Sequence, residues 1–375
     1  MKQNLTWLEI DARAINYNLS QFRKLIGPKR LLMPVLKSNA YGHGFLEIAR
    51  ICERNKKVDR ICVVNLEEAL ILIKAKIKKP ILILSFYELN SEKIALALKN
   101  QVIFSVSNLL QAKFLNKIAQ QIHQTVKIEI EIDTGASRTG VLASQALPFV
   151  QQLKKLPHLE IKGVWSHFAS SEDDPRYTKF QLATFQKVVS ELENQEISFS
   201  LKHFACSASS LLYPNTLFNG IRLGLSLYGL YPSEAARKKL KLKPALSWYT
   251  RVIDLKTLPK NTKIGYGGTY TTTKKTKLAI IPVGYWDGYD RHLSNKSTVI
   301  INNKKCPVRG RICMNLTMVD VSQVKNIRLG DQVILIGHSQ TQKITVEELA
   351  QLIGTINYEV VTRINPLLPR IVKNY

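Results

Sequence analysis

The chain has 375 residues, 45% of them hydrophobic, and sets 54 Lys and Arg against 28 Asp and Glu for a net charge of +26. That apolar content supplies cores for about two domains and excludes a disordered or fibrous chain. No apolar run reaches the length of a membrane span, so no membrane role is expected.

The opening MKQNLTWLEIDAR lacks a signal peptide's apolar core and cleavage site. The cysteines (Cys52, Cys62, Cys206, Cys306, Cys313) are odd in number and show no CxxC spacing. They read as reduced thiols, with neither disulfide nor metal framework, so a cytoplasmic protein without a metal is expected. The basic clusters, among them Lys74 to Lys79 and Arg237 to Lys243, are scattered and lack interleaved aromatics. A nucleic-acid reader concentrates its charge in one stripe, so no nucleic-acid partner is expected.

Over the first two-thirds, short β-branched runs alternate with amphipathic stretches. The strand-like runs fall at 31–37, 61–65, 81–85, 102–106, 127–133, 161–168, 200–207 and 220–225. Helical spacing covers Leu66 to Ile77 and Tyr177 to Leu192. Strand then helix, repeated this way, implies parallel strands and an α/β fold: a (β/α)8 TIM-type barrel, expected over residues 12–241. A doubly wound open sheet is the competing arrangement.

Beyond residue 242 short strands separated by turn residues (278–285, 297–302, 306–314, 331–337) predict a mostly antiparallel β domain reaching residue 375. It contains one clear helix, opened by Thr345 with Glu348 and closed by Gly354. Residues 1–11 read as a strand that joins this second domain.

Chemistry in such a barrel gathers at the C-terminal strand ends. Those ends carry Lys37, the Asp133-to-Arg138 turn, His167, Ser207 and Gly224. Lys37 closes a buried run ahead of the glycine-bearing SNAYGHG, and a desolvated lysine there suits imine formation with a carbonyl. In KIEIEID, Ile128, Ile130 and Ile132 alternate with Glu129, Glu131 and Asp133. If the isoleucines meet the helices, three carboxylates point inward. Burial demands cations beside them, and Lys37, Arg138, His167 and Arg222 are the expected ones.

Eight segments, VLKSNAYGHG, DTGASRTG, WSHFASSE, GIRLGLSLYG, IGYGGTY, PVGYWDGY, GRICMN and TINYEV, resemble the motifs of alanine racemase, in the family's order and almost end to end. The resemblance implies a pyridoxal 5'-phosphate enzyme that interconverts L- and D-alanine for cell-wall peptidoglycan. It also implies a homodimer whose subunits share each active site. Position by position, Lys37 resembles the lysine that holds the cofactor and acts as one catalytic base, and Tyr266 the second base, given by the partner chain. Tyr41, Ser207, Tyr358 and the backbone at Gly224 and Leu225 match the phosphate cradle. His167 matches the residue packed on the pyridine ring, Arg222 the one facing its nitrogen, and Arg138 the one near the phenolic oxygen and substrate. Met314, also given by the partner chain, matches the residue whose backbone meets the substrate carboxylate.

Four positions depart from the pattern. Glu131 stands where many relatives carry a carbamylated lysine that holds the counterpart of Arg138. Cys206, Asn315 and Trp286 replace Asn, Asp and a small residue near the substrate entrance. These leave open a broader amino-acid racemase, for example one acting on serine. A non-catalytic pyridoxal-phosphate carrier or a basic nucleic-acid-binding protein is the rival from another class.

Overall fold

In a computed structural model, residues 4–375 are described, and the chain divides into two units. One comprises residues 14–37 and 48–243; the other comprises the segment ending at Arg13, residues 38–47 and residues 244–375. The sequence reading places 38–47 inside the barrel, whereas this segment clusters with the second unit. The first three positions of the expected 1–11 strand lie outside the described residues.

Strand β1 (Thr6–Asp11) precedes the strands of the larger unit: β2 (Leu31–Pro34), β3 (Ile61–Val63), β4 (Ile81–Ile83), β5 (Ile103–Val106) and β6 (Val126–Asp133). The short β7 (Val141–Leu142) pairs beside β6, and β8 (Leu159–Trp165), β9 (Leu201–His203) and β10 (Gly220–Leu223) complete the set. Strands β3, β4, β5, β6, β8 and β9 form one parallel run, and β10 pairs parallel with β2. Parallel bridges Val35 to Cys62 and Ala205 to Ile221 join the two sets, so eight strands close on themselves. The open doubly wound sheet is thereby excluded.

Asparagine punctuates the strand-to-helix passages. Asn65, Asn90 and Asn108 each accept a hydrogen bond from the backbone three residues on, at 2.9, 3.0 and 2.9 Å. Each bond satisfies an orphan donor at a helix start (Leu66–Lys74, Ser91–Lys99, Leu109–Gln121). The first of these helices stops short of the expected Ile77 because Lys76 takes φ +62°, which a right-handed helix cannot continue. The helix expected from Tyr177 begins earlier, at Pro175, because Asp174 caps it and proline suits a first helical position.

The second unit adds β11 (Leu246–Arg251), β12 (Asp254–Leu258), β13 (Lys263–Ile264), β14 (Tyr270–Thr271), β15 (Thr276–Ile281) and β16 (Thr298–Ile301). Strands β17 (Lys304–Pro307), β18 (Thr317–Asp320), β19 (Gln332–His338), β20 (Lys343–Ile344) and β21 (Arg370–Lys373) complete it. Its main sheet runs β17-β16-β19-β11-β1-β21, with β12-β15-β18 as a second sheet. All these pairs are antiparallel except β1 with β21. The strand expected over 306–314 ends at Pro307, and Gly310 (φ +78°) helps turn the rest of that segment into a loop. Thr345 caps the helix Val346–Ile353 by accepting from Glu348 at 3.1 Å, and Gly354 closes it at φ +73°.

Candidate active site

Along β6 the alternation puts Glu129 (0% exposed) and Glu131 (4%) inside the barrel. The cations that balance Glu129 are not the four expected at the C-terminal end. Its Oε1 pairs with Arg60, from the turn before β3, and its Oε2 accepts from His203 Nε2 at 2.7 Å. Glu129 sits deeper in the barrel than the strand ends, so its counter-ion enters from the opposite mouth. Asp133 does not join the interior: its Oδ1 accepts from the backbone of Gly135 at 2.9 Å and Ser137 at 3.1 Å, shaping the DTGASR turn. Sequence reasoning missed Arg60 and His203. The signal was present in the need of Glu129 for a partner, but Arg60 lies ahead of its strand and His203 far along the chain, and only barrel closure brings them to it.

The chain of contacts continues from His203. Its Nδ1 accepts from Arg222 Nη1 at 2.5 Å, so the imidazole is neutral with its proton on Nε2. Burial holds the His203 pKa down to about 4 against the pull of Glu129, while the cations Arg222 and Arg60 lower it further. For Glu129 burial works upward, but His203 and Arg60 outweigh it and bring the carboxyl to about 2.

Arg222 (3% exposed) stacks its guanidinium 4.7 Å from the centre of the Trp165 ring. Its Nη2 donates to Ser166 O at 2.6 Å, to Phe204 O at 3.2 Å and to His167 Nδ1 at 3.2 Å. With Nη1 also reaching His203 O at 3.3 Å, both terminal nitrogens are committed. Of the three Arg222 guanidinium nitrogens, Nε alone makes no hydrogen bond to the described residues. His167 is buried, and burial first, then Arg222, Arg138 and Lys37, hold its pKa well below the usual range. Gln181 fixes the loop after β8, accepting from Ala169 N at 2.9 Å and donating to His167 O at 3.2 Å.

Lys37 lies just beyond β2, and burial, then Arg138, lower its pKa while Glu68 opposes. Arg138 itself is exposed on the DTGASR turn. No Glu131–Arg138 ion pair forms within 4 Å among the described residues; Thr139 Oγ1 instead donates to Glu131 at 2.9 Å. The shorter glutamate leaves Arg138 out of reach, and the neighbouring threonine occupies it. Burial pushes Glu131 up to about 6, although Thr139, Arg138 and Arg222 pull down. An acid raised from 4.5 costs stability as pH climbs through that window and beyond it. Glu131→Gln should therefore stabilise the protein by about 1–2 kcal/mol at pH 8 and by nothing near pH 4. Urea midpoints at both pH values check this; a gain equal at both would refute it.

Ser207 lies after β9, at the start of the short helix Ser207–Leu212, and Gly224 lies after β10. Ser207 Oγ accepts from the backbone of Gly224 at 3.0 Å and Ser226 at 3.4 Å, drawing the turn Leu225–Tyr228 to it. Loops after the seventh and eighth strands, with a short extra helix, are where barrels of this kind hold phosphate.

The second unit holds Tyr41, Tyr266, Met314 and Tyr358. Ser38, Asn39, Ala40 and Tyr41 all have φ between +51° and +56°, a left-handed turn costing about 1–2 kcal/mol per residue. It is held in place by Asn39 Oδ1 accepting from Phe45 N at 2.8 Å and by His43 Nδ1 against Tyr41 O at 2.8 Å. At Gly42 (φ +79°) a Cβ would lie 1.9 Å from Val361 O, so no side chain fits, and Arg370 donates twice to the Gly42 carbonyl. This brings the Tyr41 and Tyr358 rings to 6.2 Å. Tyr266 (71% exposed) and Met314 (55%) stand on the unit's surface. The Met314 carbonyl accepts from Trp286 N at 3.0 Å.

Residues 10–232 match the family model for the alanine racemase N-terminal domain, and residues 245–372 the one for its C-terminal domain. The chain belongs to the alanine racemase family. It is 39% identical over 368 residues to the alanine racemase of Methanococcus maripaludis, covering 97% of this chain and 98% of that one. The solved alanine racemase of Clostridium difficile 630 superposes with a TM-score of 0.93 at 31% identity, covering 100% of this chain and 97% of that one. That of Bacillus anthracis, solved with bound L-Ala-P, gives 0.92 at 34% identity, covering 100% and 96%. The chain is thus an amino-acid racemase, an isomerase that uses pyridoxal phosphate and interconverts the enantiomers of alanine.

The residues present suit that cofactor. A lysine with a lowered pKa can meet the aldehyde, Ser207 and the adjoining backbone can meet the phosphate, and the spare Arg222 Nε–H matches an aromatic nitrogen acceptor.

Proposed function

We propose that the chain racemises alanine with two bases, Lys37 on one face of the substrate and Tyr266 of a partner copy on the other, in a homodimer with shared sites. The observation that carries this reading is the division of labour between the two units. Lys37, Arg138, His167 and Arg222 gather around one barrel mouth, whereas Tyr266 stands out from the other unit, available to a second molecule. When bound, pyridoxal phosphate supplies an aldehyde for the amino group and a conjugated ring that takes up the electron pair left at Cα.

The remaining work falls to protein groups. Lys37 Nζ, brought toward its neutral form by burial and Arg138, takes the α-proton of the D-enantiomer or returns it. Tyr266 Oη does the same for the L-enantiomer. Arg222 stays charged and would offer its Nε–H, but not a proton, to an aromatic nitrogen of the bound group, which would favour return of the proton at Cα. Ser207 and the Gly224–Leu225 backbone would hold the phosphate, and His167 would pack on the ring; for Tyr41 and Tyr358 the phosphate role rests on the family resemblance alone. Arg138 and, from the partner copy, the Met314 backbone orient the substrate carboxylate. The product supplies D-alanine for peptidoglycan in the cytoplasm; no helix among the described residues is long and apolar enough to cross a membrane.

Tyr266→Phe tests the second base. Exchange of the α-proton of L-alanine with deuterated water should fall by roughly 10²–10⁴-fold while exchange from D-alanine persists. Equal loss for both enantiomers would contradict the assignment.

A further inference from the structure

The racemase chemistry leaves the basic clusters of the sequence unused, and one of them, through Lys78 and Lys79, meets five other Lys and Arg residues at the other end of the barrel. A cavity of about 720 Å³ opens there, floored by Leu31, Ile81, Ile103 and Leu201, the first residues of β2, β4, β5 and β9. Lys29, Arg60, Lys78, Lys79 and Lys99 line it from the segments that lead into the strands. The half-buried Lys127 and Lys162 reach it from β6 and β8.

Among the described residues, no acidic side chain lines this cavity. Arg60 is matched by Glu129 inside the barrel and Lys162 by Glu160 beside it. Lys79 Nζ donates to Val58 O at 2.6 Å, and Lys127 Nζ approaches Gln101 Oε1 at 3.5 Å. The ammonium groups of Lys29, Lys78, Lys99 and Lys127 pair with no carboxylate within 4 Å among the described residues, while Glu53 accepts from the backbone of Lys78 at 3.0 Å and of Lys79 at 3.1 Å. Like charges gathered around one concavity repel, and their fields add within it, so a multivalent anion relieves the repulsion where a single charge does little.

The lining also limits the kind of anion. Among the described residues it holds no aromatic ring on which a base could stack. Its other polar groups, Asn100, Gln101, Ser200 and Asn219, suit oxygen-rich ligands. The volume lies in the small-molecule range of ~300–1,000 Å³. We propose that the N-terminal mouth of the barrel is a second binding site, for a compact condensed-phosphate anion bearing three or more negative charges. This site is separate from the catalytic mouth and does not depend on the assignment of bases there.

Calorimetric titration of the holoenzyme with sodium tripolyphosphate at 0.15 M salt tests it. One saturable site per chain is expected, bound about tenfold or more tightly than inorganic phosphate, with ATP no tighter than tripolyphosphate. Lys127→Gln with Lys162→Gln should weaken tripolyphosphate about tenfold and leave alanine racemisation unchanged. Lys78→Gln with Lys99→Gln, both exposed, should do the same. Absence of saturation, or equal affinity in both variants, would overturn the site. Tighter binding of a single-stranded oligonucleotide than of tripolyphosphate would replace it with an extended nucleic-acid surface.

Discussion

Lys37→Arg should lower alanine racemisation by roughly four orders of magnitude or more, ~5 kcal/mol of lost transition-state stabilisation. Arginine keeps the positive charge and most of the length but never offers a neutral amine, so neither attachment to an aldehyde nor proton transfer at Nζ survives. The wild-type lysine is prepared for both. Burial and the Arg138 charge disfavour its ammonium form, which increases the neutral fraction near physiological pH. Initial rates measured in both directions would check this, and retention of more than about a hundredth of the activity would remove Lys37 from the chemistry.

Glu129→Leu should cost about 3–5 kcal/mol of stability at pH 7, the largest loss expected from one substitution distant from the substrate. The carboxylate is fully buried between Arg60 and His203, so its removal strands a guanidinium and an imidazole donor in the barrel interior. The double variant with Arg60→Met should recover part of the loss, because the abandoned charge goes too. The sign with pH is set by the carboxyl being held down to about 2. Its stabilisation is complete above the usual value of 4.5 and fades as pH falls toward 2. The difference between wild type and variant in urea midpoint should therefore shrink below pH 4.5. A difference that does not change with pH would mean that the network is held by packing rather than by charge.

The helix starts that Asn65, Asn90 and Asn108 cap were not read from the sequence, whereas the barrel was legible because strand and helix periods alternate. Strand ends were less so. The run at 31–37 reads as continuous, yet β2 stops at Pro34 and the chain turns left-handed after Lys37, a conformation that Asn39 tolerates but that Ser38 and Ala40 do not announce. It is imposed by tertiary contacts, chiefly the fit of Gly42 against Val361 and the Arg370 bonds to its carbonyl. Within the site, the inward carboxylates could be read from β6 alone, because a period of two settles which face each occupies. Their partners could not. Arg60 lies 69 residues from Glu129 and His203 lies 74 away, and only barrel closure brings them together. Thr139, which takes the place of a cation on Glu131, looks in sequence like any turn residue.

The proposed reaction rests on one covalent event, capture of the cofactor by Lys37. Borohydride reduction of the holoenzyme, then proteolysis and mass mapping, tests it directly. The mass of reduced pyridoxal phosphate should appear on the peptide that carries Lys37 and be lost in Lys37→Arg. Label on any other lysine, or on none, would contradict the account.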